Sequence, residues 1–122
     1  MAAQPDFWGE IVLGQVRTPL AVLREQAALL GPKTRNLVEA TVVTTVAGDT
    51  FYHLFNLVAP ALDGYTYAMF MVTHGIDLYP VQHLGTTASF PSEEAFVAWL
   101  RQELSSAKTK RIIANLLAQV TG

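Results

Sequence analysis

Three side chains in this sequence of 122 residues have types and spacing that could do chemistry together: His53, His74 and Asp77. Two imidazoles and a carboxylate form a donor set for a transition metal with open positions, or a general base with its orienting acid. They meet only if the chain between His53 and His74 doubles back. Asp63-Gly64 supplies the reversal, because a type I′ hairpin turn needs positive φ at both central residues and this dipeptide tolerates it. With Asp63 and Gly64 as the two loop residues, Leu62 opposes Tyr65 and His53 lies directly opposite His74. Asp77, just past Gly75, is then within reach of His74 on the same face. The competing reading of the pair is structural: two half-exposed imidazoles at a sheet end, which repel when both are protonated in mild acid. The third histidine, His83, falls near Thr66 or Ala68 and reads as a rim residue.

No other chemistry stands out. The chain has no cysteine, which excludes disulfides, thiolate metal sites and thiol nucleophiles and suits a reducing compartment. It contains no glycine-rich phosphate loop, nucleophile elbow, zinc-protease helix or Asp/Asn-rich calcium loop. No cofactor is implied.

The hydrophobic and turn pattern supplies the elements that must carry these residues. Phe7 to Val16 has roughly helical apolar spacing with Asp6 as N-cap, but Gly9 and Gly14 weaken it, so it reads as a short helix or an irregular apolar arm. Thr18 caps a helix with Pro19 at its first position, Leu20, Leu23, Ala27 and Leu30 on one face, and Gly31-Pro32 as its stop. Four antiparallel strands follow, Leu37 to Ala47, Thr50 to Pro60, Tyr65 to His74 and Ile76 to Leu84, with connections too short for parallel crossovers. Gly85 to Pro91 reads as a loop. Ser92 caps the next helix, with Glu93 and Glu94 in its first turn, and Ser105 or Ser106 caps the last. The whole is one α+β domain over residues 1–122: a four-stranded antiparallel meander, an N-terminal helical segment and two C-terminal helices packed on one face.

The register sorts side chains into two faces. One holds Ala40, Val42, Phe55, Leu57, Phe70, Val72, Tyr79 and Val81, a core face for the helices to cover. The other holds Thr41, Val43, Leu54, Asn56, Val58, Met69, Met71, Leu78, Pro80 and Gln82, flanked by Tyr52 and Tyr67. A water-facing side of a meander alternates to polar residues, and this one has only Glu39 as a charge on its central strands. Arg17 and Lys33 are unplaced candidates to pair with Glu39. Overall, 51% of residues are hydrophobic and only 15% charged, against about 25% charged in an average domain.

The functional expectation is therefore a non-enzymatic interaction domain of a cytoplasmic, bacterial kind, acting as a chaperone, adaptor or immunity protein does. Its interface is Val43, Leu54, Val58, Met69, Met71 and Leu78, and its partner is a second copy in a homodimer. A heterologous protein, or the N-terminal arm, could cover the same face instead. Two alternatives stand beside it. One is an apolar-ligand module with a pocket lined by Phe55, Phe70, Tyr79 and Trp99. The other is a metal-assisted or acid–base enzyme using His53, His74 and Asp77. A nucleic-acid partner is not expected. The net charge is −2, and the one basic cluster, Lys108, Lys110 and Arg111, reads as a solvated helix face. A membrane is not expected either, since the apolar run from Leu54 to Leu62 is far short of the ~20 residues of a spanning helix. The N-terminus has no signal-peptide pattern.

Overall fold

The computed structural model describes residues 4–14 and 16–122. Its elements are α1 (Pro19–Lys33), β1 (Glu39–Ala47), β2 (Thr50–Ala59), a 3₁₀ turn (Pro60–Leu62), β3 (Tyr65–His74), β4 (Val81–His83), β5 (Ser89–Phe90), α2 (Glu93–Leu104) and α3 (Ala107–Thr121). The strands form one antiparallel sheet in the order β1-β2-β3-β4-β5. The α+β class and the meander with its flanking helices are as expected, with a fifth strand added.

The helix starts follow from local capping. Thr18, Ser92 and Ser106 each accept a hydrogen bond from the backbone N–H three residues on, at 3.0, 3.2 and 3.2 Å. The end of α1 differs from expectation. The helix runs through Pro32 to Lys33, and the reversal comes at Arg35 and Asn36, both left-handed (φ 55° and 62°). Gly31 permits it: its carbonyl accepts from the Thr34 and Asn36 N–H groups, and a Cβ there would lie 2.9 Å from Asn36 Oδ1.

All three helices serve one face of the sheet. Val22, Leu23 and Ala27 of α1 pack with Phe55, Phe70, Val72, Val81, Phe90 and, from α2, Phe96 and Leu100. A smaller cluster joins Val38 and Leu57 to Leu116 of α3. Each fully buried Phe or Leu contributes roughly 1.5–3 kcal/mol relative to exposure.

The register between β1 and β2 is the expected one, with Ala47 opposite Thr50. Between β2 and β3 it is corrected. Asp63 and Gly64 are both left-handed (φ 58° and 71°), as the dipeptide demands. The loop, however, spans Pro60 to Gly64, and Ala59, not Leu62, pairs with Tyr65. Pro60 has no N–H for the ladder, and its carbonyl instead takes the N–H groups of Asp63 and Gly64. A bulge then leaves Met69 unpaired between Phe55↔Phe70 and Asn56↔Ala68. From Phe51 to Phe55 the partner is displaced by two residues, which preserves faces. From Asn56 to Ala59 the displacement is odd, so Tyr67 joins Leu57 on the core face rather than flanking the second face.

The fourth strand is shorter than expected. Ile76 to Pro80 is a loop, with Leu78 left-handed (φ 72°) and Tyr79–Pro80 cis. The expected loop of Gly85 to Pro91 contains β5, whose buried Phe90 pairs with Val81. The N-terminal segment is an irregular arm, not a helix. Asp6 accepts from the Trp8 N–H at 2.9 Å, and Phe7, Trp8, Ile11, Val12, Leu13 and Val16 are 62–86% exposed. The arm ends at Arg17, which is held at several points. It pairs with Glu25 and, at 3.7 Å, with Glu93. Its carbonyl also accepts from the Tyr79 hydroxyl at 3.0 Å. Arg17 is thus committed away from Glu39, for which no ion pair occurs among the described residues.

Candidate functional site

His53 and His74 do meet, though diagonally. His53 opposes Val72 and His74 opposes Phe51, and the two Nε2 atoms are 2.8 Å apart. The expected half-exposed pair at a sheet end is corrected, since the residues are only 1% and 7% exposed. Both lie on the core face, and Phe51 stacks on His74 with centroids 5.1 Å apart.

Hydrogen-bond chemistry fixes the protons. The Gly75 carbonyl, 2.7 Å from His74 Nδ1, can only accept, so Nδ1 carries hydrogen. In the neutral ring His74 Nε2 is then an acceptor, and His53 Nε2–H donates to it. His53 Nδ1 in turn accepts from the Thr44 hydroxyl at 2.9 Å. The chain Thr44–His53–His74–Gly75 is complete with both rings neutral, and no ring nitrogen has a free lone pair for a metal or a substrate. Burial, then the charge of His74 and of Arg24, pushes the His53 pKa down to about 4.

Asp77 does not complete the constellation. It is exposed in the loop after β3, and its backbone carbonyl accepts from Tyr79 N–H. It shares with His74 the lining of an open cleft of 230 Å³, but both His74 nitrogens are already committed. Among the described residues no group of three His, Asp or Glu side chains is placed to hold a metal ion. His83 is also relocated: it opposes Val72 and leans on Trp99, with centroids 5.0 Å apart, at the rim of the aromatic core.

The expected aromatic pocket is filled by its own lining. Phe55 stacks on Phe70 at 5.1 Å, and Trp99 meets the edge of Phe70 at 5.0 Å. A cavity of 130 Å³ behind the sheet touches Phe55 but not Phe70, Tyr79 or Trp99.

The second sheet face carries an apolar row that is exposed at Val43 and half-buried at Leu54, Met71 and Val58. Val43 opposes Leu54 and Leu54 opposes Met71, which makes one apolar row across three strands. Val58 lies on the same face, toward the Pro60 end. None of these four belongs to either core cluster, and Val43 is 51% exposed. Two expected members are elsewhere. Met69, the bulge residue, packs against both core clusters, and Leu78 sits in the loop before β4. Beside the row, Asn56 is buried, and its Oδ1 has no hydrogen-bond partner among the described residues.

Sequence reasoning missed Thr44 as the partner of His53, although the register from Gly48-Asp49 places the two directly opposite each other. It also missed the anchoring role of Arg17, which no local pattern signals. No protein-family model, curated protein or solved structure matches the chain.

Proposed function

We propose that this chain is a non-enzymatic interaction domain that self-associates through its second sheet face, in a chaperone-, adaptor- or immunity-like role in the bacterial cytoplasm. The observation that carries this reading is the apolar row Val43–Leu54–Met71, with Val58 beside it, exposed at Val43 and half-buried at the other three, on a sheet whose described helices all pack on the opposite side. Monomeric proteins seldom expose large contiguous apolar patches, and methionine adapts well at contact surfaces. The apolar arm adds to the argument, because its exposed side chains do not cover that face within the single chain. The saturated histidine chain and the dispersed Asp77 supply no competing chemistry. Among the described residues no helix is long and apolar enough to cross a membrane.

Light scattering coupled to size exclusion tests the reading. A particle of at least twice the chain mass of 13.3 kDa is expected, and Leu54→Lys should lower it. A wild-type monomer that stays dispersed at high concentration would overturn the proposal.

A further inference from the structure

The two edges of the sheet are built differently. On one side β4 pairs only with Val72 and Thr73 of β3, β5 ends the sheet with two residues, Ser89–Phe90, before Pro91, and the rest of the β3 edge is interrupted by the Met69 bulge. Short edges and proline are ordinary ways to keep a sheet from pairing with another chain. β1 ends the other side with nine residues, EATVVTTVA. It has no lysine, no proline and no bulge in its pairing with β2, and its one charge is Glu39 at the start. Its last five residues are exposed on both faces, with Val43 at 51% and Val46 at 56%. Such a strand presents a long row of backbone donors and acceptors, flanked by β-branched side chains that favour a sheet.

We propose that this edge pairs antiparallel with β1 of a second copy, about a two-fold axis perpendicular to the sheet and centred on Val43. An isologous contact requires the same strand to complement itself. Antiparallel pairing about that axis also keeps the two core faces on one side, since facing residues share a face. The centre follows from charge and continuity. Centring on Thr44 would set Glu39 against Asp49 of the mate. Centring on Val43 sets Glu39 against Ala47, Thr41 against Thr45 and Val43 against itself. The row Met71–Leu54–Val43 then runs unbroken through the axis into its mirror sequence in the second copy. The proposal rests on the self-association inferred above, but uses the edge of the sheet rather than its face.

Two substitutions separate edge from face. Val46→Lys alters an exposed side chain on the β1 edge, opposite Ala40 of the mate and away from the second face. Leu54→Lys alters the face on β2 and leaves the edge intact. Light scattering should show Val46→Lys halving the wild-type particle mass, with an unchanged circular dichroism spectrum. The chain has no cysteine, so Val43→Cys gives an independent readout. Facing residues in an antiparallel pair have Cα atoms about 4.5–5.5 Å apart, which suits a disulfide. Mild oxidation should therefore convert Val43→Cys to a covalent dimer. An unchanged mass in Val46→Lys with no Val43→Cys disulfide overturns the edge contact. If Leu54→Lys alone lowers the mass, the face reading stands without it. A wild-type monomer overturns both.

Discussion

The two faces of this sheet carry similar apolar material and end in opposite states. Phe55 and Leu54 are neighbours on β2. Phe55 is 2% exposed between α1 and the aromatic ring cluster, whereas Leu54 is half-buried on the face away from the described helices. Polar groups divide the same way. On the core face, buried His53 and His74 have every ring nitrogen in a hydrogen bond. On the second face, buried Asn56 keeps a carbonyl oxygen without a partner. The core face is closed within the single chain, whereas the second face keeps Val43 51% exposed and one buried acceptor unpaired among the described residues.

The comparison can be broken most forcefully at the adjacent pair. Phe55→Ala should cost about 3–5 kcal/mol of stability in urea unfolding, and Leu54→Ala, at a half-buried position and in a monomeric background, less than about 2 kcal/mol. Equal costs would mean that the second face is closed within one chain.

Acid should damage the core face through His53. Above pH 6.5 the residue is neutral in both folded and unfolded states. Below that, the unfolded chain takes up a proton that the native state resists until about pH 4, so stability falls across this window. The full loss is about 3 kcal/mol. Thermal melts across pH 4–7 should show that slope in the wild type and lose most of it in His53→Gln. An identical slope in both would place the acid sensitivity elsewhere.

Asn56→Leu sharpens the contrast from the other side. Replacing an amide whose buried oxygen is unpaired by an apolar group of similar size removes a desolvation penalty, so the isolated chain should gain about 1 kcal/mol in denaturant unfolding. A loss of that size would show that Asn56 is already satisfied. The smallest expected effect is at the arm. Arg17→Ala removes two partly exposed ion pairs, and such pairs contribute about 0.2–1 kcal/mol each. Limited proteolysis should cut residues 4–16 faster in this variant while the sheet resists as before.

Much of the fold is legible in the sequence because its signals are local. Thr18, Ser92 and Ser106 declare helix starts through chemistry that spans three residues. Gly48-Asp49 sets the β1–β2 register with no interference, so Thr44 opposite His53 can be read directly from the sequence. Asp63-Gly64 announces its own backbone conformation but not the length of its loop, which Pro60 sets by leaving the ladder early. The histidine pair survives that error because a displacement of two residues keeps both rings on one face. Tyr67 and Met69 do not survive it, since the bulge makes the displacement odd. Leu78 illustrates the remaining gap: nothing in its neighbourhood signals a left-handed leucine, and the strand expected to carry it begins only at Val81. The apolar character of the second face is legible in outline, as a shortage of charge along its strands.

Met69 can also be considered as a matter of counting. Between Tyr65 and His74 the chain must serve two separate clusters, and one uncounted residue lets Tyr67 and Phe70 both point inward although they stand three apart. A deletion at this position would put the strand in a single phase. If the ladder from Phe70 to His74 held, Ala68 would directly precede Phe70 in the alternation, and every residue from Tyr65 to Ala68 would keep both its partner on β2 and its face. The residue that the ladder leaves out is thus the one whose removal the pairing tolerates, and a chain lacking Met69 should still fold, at a cost confined to the contacts its side chain makes with the two clusters.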